Sequence, residues 1–193
     1  MKKILLLFLL LFLILFDAYS YATTIQSEIS DKVIRLHVIA NSDTSYDQAL
    51  KLKVRDSILK FMQDKQYDNY DVAYYSISNS IDELTQVAKN TLKINNCYDS
   101  VKIELGNFYF PQKEYTSLSF PSGNYKALKI IIGNGEGKNW WCVMYPTLCF
   151  SNSICSDTEA KLKLEQSLSK DGFSIIAKEC KFRFKIVDFF NKH

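Results

Sequence analysis

The sequence predicts an α+β fold: a single domain with a mixed or antiparallel sheet and about three helices. Three observations carry that prediction. Apolar residues recur at helical spacing in separate stretches near residues 45–64, 79–93 and 157–168. Between residues 101 and 150 the chain runs strand after strand, without the intervening helices of a doubly wound sheet. No repeat, low-complexity tract or linker divides the chain beyond its N-terminal segment.

That segment is the first element. Lys2 and Lys3 precede an unbroken apolar run from Ile4 to Phe16, and Ser20-Tyr21-Ala22 sets small residues three and one positions before a cleavage point. A basic start, an apolar stretch and a small-x-small site describe an export signal over residues 1–22, cleaved after Ala22. The run falls short of the ~20 residues of a spanning helix. Its extension through Asp17 to Tyr21 leaves an uncleaved anchor, and membrane association through the N-terminus, as the second reading. Residues 23–193 are then one domain, long enough to bury its own core.

Val33 to Ala40 has strand composition, with Arg35 and His37 on one face. Asn41-Ser42-Asp43-Thr44 is a cluster of turn and N-cap residues ahead of a helix from about Ser45 to Asp64. Leu50, Val54, Ile58 and Phe61 form its apolar stripe, with Lys51, Arg55 and Asp56 off it. Tyr67 to Ser76 reads as a loop or short strand, and Asn79 to Lys93 as a second helix. Val101 to Phe110 alternates as a one-sided strand ended by Pro111. Lys126 to Ile132 and Trp140 to Tyr145 read as two strands of a hairpin around a glycine-rich loop. A third helix is expected over Asp157 to Leu168, apolar alternation over Ser174 to Ile186, and a short terminal helix over Val187 to Phe190.

Composition narrows the function classes. Net charge is +3, and removing Lys2, Lys3 and Asp17 leaves +2. The lysines are interspersed with acids, so the concentrated basic face that nucleic acid requires is missing. Five cysteines in an exported chain leave at least one unpaired thiol or an intermolecular bridge. Cys142 and Cys149 lie seven apart and would face opposite ways on one straight strand, so a disulfide between them needs a turn, for which Pro146-Thr147 is the place. Buried thiols are the competing reading. Cys97, Cys155 and Cys180 have no metal-like spacing, and no metal or cofactor is expected.

Four features invite chemistry. The glycine run Gly133, Gly135, Gly137 lacks both the Walker and the dinucleotide spacing, and a strand follows it where a phosphate site needs a helix. His37 and Cys142 are the minimum for a thiol–imidazole pair, and a cell-envelope cysteine hydrolase is the alternative function. Asp43 and Asp47 flank a helix start, which capping explains, and Asp56 lies beside Arg55. Adjacent Trp140 and Trp141 must point to opposite faces of a strand, so one faces the core and the other a second buried face or a partner.

Two blocks, RLHVIANSDTSYDQALKLKVRDSIL (35–59) and FPSGNYKALKIIIGNGEGKNWWCVMYPTLCF (120–150), resemble the stage II sporulation protein R family. The export signal and the closing KFRFKIVDFF agree with that family's layout. The resemblance implies a signal and not an enzyme. It implies a protein made in the forespore and secreted into the space between forespore and mother-cell membranes. There it would be needed to activate a membrane-embedded aspartic protease that processes pro-sigma-E in the mother cell. On that reading the expected contact elements are the polar turn Asn41 to Asp47, the glycine loop Gly133 to Asn139 and the adjoining tryptophans, with Asn41, Asp43, Asp47, Gly133, Gly135, Gly137, Asn139, Trp140 and Trp141 as the expected partner-contact residues.

Overall fold

The computed structural model describes residues 2–63, 65, 67–115, 118–149 and 154–177, with backbone only at 154–157. Helix α1 (Lys2–Ser30) leads to strand β1 (Ile34–Ile39) and helices α2 (Ser45–Gln63), α3 (Tyr70–Asn79) and α4 (Ile81–Ile94). Strands β2 (Val101–Phe110), β3 (Lys113–Glu114), β4 (Ser119–Phe120), β5 (Gly123–Ile132) and β6 (Asn139–Tyr145) follow, then α5 (Ile154–Ser167) and α6 (Lys170–Ile176). The main sheet is mixed, in the order β2-β5-β1-β6, with β1 parallel to β5 and the other two pairs antiparallel. Strands β3 and β4 form a separate small pair.

The described residues hold six helices, not about three. Helix α3 occupies the stretch expected as loop or strand. Asn69 caps it by accepting from the Val72 amide at 3.0 Å, and Ala73 and Ile77 bury one stripe while Tyr70 and Tyr74 pack beside it. The tyrosines' strand preference masked a 70/73/74/77 helical spacing. Helix α6 takes Ser174 to Ile176, the start of the stretch expected to show apolar alternation, because Ser169 accepts from the Gly172 amide and caps a turn that buries Ile175 and Ile176. The remaining expectations for 178–193 lie outside the described residues.

The expected hairpin is also corrected. Strands β5 and β6 are not neighbours, because β1 lies between them with Leu36 opposite both Leu128 and Cys142. The glycine loop is thus a bridge over the end of β1.

Each sheet face has its own core. Leu36, Val38, Leu128, Ile130, Cys142 and Met144 face α2, α3 and α4 in an almost wholly apolar cluster. The other face carries Arg35, His37, Tyr125, Trp141 and Val143 against Phe110, Phe120, the end of α1, and α5 and α6. Arg35 is fully buried there. Its Nε donates to the Cys142 carbonyl at 3.1 Å and its Nη2 to the Tyr115 hydroxyl at 3.3 Å, while Nη1 has no hydrogen bond. The guanidinium carbon lies 4.5 Å from the Phe110 ring centre, 4.9 Å from Tyr125 and 5.4 Å from Phe120. Aromatic faces solvate the cation in place of a carboxylate.

Helix α1 runs unbroken through the expected cleavage point. Residues 2–17 are exposed, whereas Ala22 is buried and Ile25 and Ile29 pack against the second face.

Candidate functional site

The site is built by two loops that lock together at one end of the sheet. After β1, the backbone of Ala40 and Asn41 accepts from the Gly137 and Glu136 amides at 2.9 and 3.1 Å. The Asn41 side chain accepts from the Asn134 amide at 3.0 Å, and Asp43 accepts from the Lys138 amide at 2.6 Å. Ser42 and Asn41 donate to one Asp47 oxygen at 2.6 and 3.0 Å, and Thr44 caps α2 through the Asp47 amide. The Ser42 hydroxyl is the main reason that the Asp47 carboxyl is held below its ordinary range. Lys51 is buried, donates to the Lys138 carbonyl at 2.8 Å and to Gln48 at 2.6 Å, and has its pKa lowered by burial. Off the apolar stripe of α2, as the sequence places it, Lys51 nonetheless points into the lock.

The glycines follow from that bridge. A Cβ on Gly137 would sit 2.3 Å from the Ser42 carbonyl oxygen, a backbone atom that cannot swing aside. Gly133, at φ +57°, would put a Cβ 2.2 Å from the Asn41 side chain. The intervening residues have the opposite disposition: Asn134, Glu136 and Lys138 are exposed. In GNGEGK, Gly137 lets two backbones touch and Gly133 makes room for the Asn41 side chain, while the polar residues between the glycines are exposed to solvent.

The tryptophans divide as strand alternation requires. Trp140 packs on the helical side beneath Arg55, whose guanidinium lies 4.1 Å from the ring centre, and the buried Trp140 Nε1 makes no hydrogen bond. Trp141 stacks on His37 at 3.6 Å and meets Phe110 edge-on at 4.7 Å. Both are half-buried. His37 Nε2 donates to the Asn139 side-chain oxygen at 2.8 Å. Burial depresses the His37 pKa to about 4; the Asn139 bond opposes this and Lys129 adds to it, so the ring is neutral at pH 7.

All nine expected contact residues therefore gather at this end, but in different roles. Asn41, Asp43, Asp47, Gly133 and Gly137 take part in holding the loops together, and only Asp43 and Asn139 among the nine are exposed. Sequence reasoning missed Gln48 and Lys51, and it held Ser42, Asn134, Glu136 and Lys138 only as members of the turn Asn41 to Asp47 and the loop Gly133 to Asn139; the alternation of glycine with polar residues was the signal that could have singled out the last three. The thiol–imidazole pair does not assemble. Cys142 is bonded to Cys149, with sulfurs 2.20 Å apart and Cα atoms 5.4 Å apart, and the chain turns at Pro146 and Thr147. Cys142 also faces the helical side with Leu36, whereas His37 faces the other. Cys97 is a buried thiol whose pKa burial raises, unsuited to attack. Among the described residues no group of histidine, cysteine and acidic side chains could hold a metal. A cleft of about 440 Å³ beside Met62, Tyr67, Pro146 and Lys163 contains none of the expected residues.

Residues 30–154 match the family model described as stage II sporulation protein R. The chain is 35% identical over 152 residues to the stage II sporulation protein R of Bacillus subtilis (strain 168), across 74% of this chain and 68% of that one. No solved structure matches. The matched region contains both interlocked loops.

Proposed function

The chain belongs to the stage II sporulation protein R family, and from that premise we propose that it is an exported signal of endospore formation. On this reading it crosses the forespore membrane into the space facing the mother cell. There it activates the membrane-embedded aspartic protease that removes the pro-sequence of pro-sigma-E. Its role is that of a binding ligand and not of an enzyme.

One observation carries the proposal. The two blocks behind the family resemblance interlock at one end of the sheet, and the lock is made by backbone groups with the Asn41 and Asp43 side chains. Asn134, Glu136 and Lys138 are left outward on a fixed frame, beside exposed Asp43 and Asn139. A rigid polar tip suits recognition, since little side-chain and loop freedom is lost on docking. To activate the protease the tip must bind its active arrangement more tightly than its inactive one. The exposed apolar N-terminal helix supports export.

The test is reconstitution of the full chain with the protease and the pro-sigma factor, following pro-sequence removal. Processing that depends on the chain is the expected result, and no processing with folded chain present would overturn the reading.

A further inference from the structure

We infer that α1 is retained and anchors this protein in a lipid bilayer, with the domain seated directly against the membrane surface. The inference rests on the export in the proposed function but not on any protease.

The apolar stretch from Ile4 to Tyr21 spans about 27 Å at about 1.5 Å per residue, close to the roughly 30 Å hydrocarbon core of a bilayer. Its one internal charge is Asp17, and none of residues 2–17 is buried. Docking begins where that stretch ends. The Tyr21 hydroxyl donates to Asp171 at 2.8 Å, Ala22 is buried, and Ile25 and Ile29 enter the second core. Gln26 donates to the Asn124 carbonyl at 3.1 Å. The Glu28 carboxylate accepts from the Ser169 amide and, at 2.9 Å, from its hydroxyl. Gln26 and Glu28 reach glycines of the domain: a Cβ on Gly123 would lie 2.4 Å from the Gln26 amide end, and one on Gly172 would lie 3.1 Å from the Glu28 carboxylate.

The small-x-small site therefore lies inside a docked helix. Thr23 and Thr24 both donate back to the Ser20 carbonyl at 2.9 Å, across the bond that cleavage after Ala22 would break. A peptidase needs that stretch extended, which in the folded chain requires unwinding α1 around the buried Ala22 and next to Ile25, which is seated in the core. No flexible linker separates the membrane stretch from the domain. Gln26 grips the Asn124 end of β5, and the glycine tip lies at the other end of that ten-residue strand, about 30 Å away at ~3.3 Å per residue. An anchored chain thus holds its recognition end well off the membrane that carries it.

The experiment is expression of the full chain in a sporulating or other bacterial host, with alkaline carbonate extraction and intact-mass measurement. A parallel variant, Ser20→Tyr, blocks a small-x-small peptidase at an exposed position whose side chain makes no hydrogen bond. The inference expects both chains to stay in the carbonate-resistant membrane fraction with residues 1–22 present and with equal masses apart from the substitution. A wild-type chain that begins at Thr23, in either fraction, would overturn it, as would retention of residues 1–22 in Ser20→Tyr alone. Neither readout involves pro-sigma processing, so failure here leaves the signalling role standing, and failure of signalling leaves the anchor standing.

Discussion

The two faces of the sheet are built by different rules. The face under α2, α3 and α4 is filled with aliphatic side chains that need only the right volume. The opposite face buries a guanidinium and an imidazole among aromatic rings, each held by named donors and acceptors. The first face is a packing solution, and many sequences would serve. On the second, a change at one residue strands its partners, because a buried polar group without a bond costs more than the bond contributes. The interlocked tip follows the rule of the second face, with backbone in place of side chains.

Substitutions can break or sharpen this contrast. The largest effect is expected at the tip: Gly137→Ala forces a methyl against the Ser42 carbonyl and should cost on the order of 3 kcal/mol in denaturant unfolding. Retention of wild-type stability would mean that the loops are not locked as described. Next, Arg35→Met keeps bulk but abandons the Cys142 carbonyl, the Tyr115 hydroxyl and three ring contacts, at roughly 2 kcal/mol. Its neighbour on the aliphatic face, Leu36→Met, should cost below about 1.5 kcal/mol. The reverse order would erase the distinction between the faces.

A smaller effect concerns pH. Because the native His37 pKa is depressed to about 4, the unfolded chain takes up its proton first as pH falls below 6.5. The stability that neutral His37 contributes is intact above about pH 6.5, declines between there and about pH 4, and falls no further below that. Comparing unfolding midpoints of wild type and His37→Gln across this window isolates the term; parallel curves would show that His37 is not held neutral.

Much of this was readable in the sequence and some was not, for local reasons. The stripes of α2 and α4, the alternation in β2 and the opposite orientations of Trp140 and Trp141 follow from periodicity alone. Strand β1 between β5 and β6 was not readable. Pairing is decided by contacts about a hundred residues apart, and a glycine run between two apolar strands looks the same whether it closes a hairpin or bridges a neighbour. Helix α3 was hidden because tyrosine favours strands until Ala73 and Ile77 find a core. At the tip the residue types were found but not their internal bonds: Asn41 and Asp47, expected as contact residues, fasten the loops.

The account's central claim is that the outward side chains of the tip are the recognition surface. Replacing Asn134, Glu136 and Lys138 together by Ala removes them while leaving every backbone bond of the lock in place. Pro-sequence removal in the reconstituted system should fall at least about tenfold, with unfolding stability within about 0.5 kcal/mol of wild type. Full processing by the folded triple variant would contradict the claim.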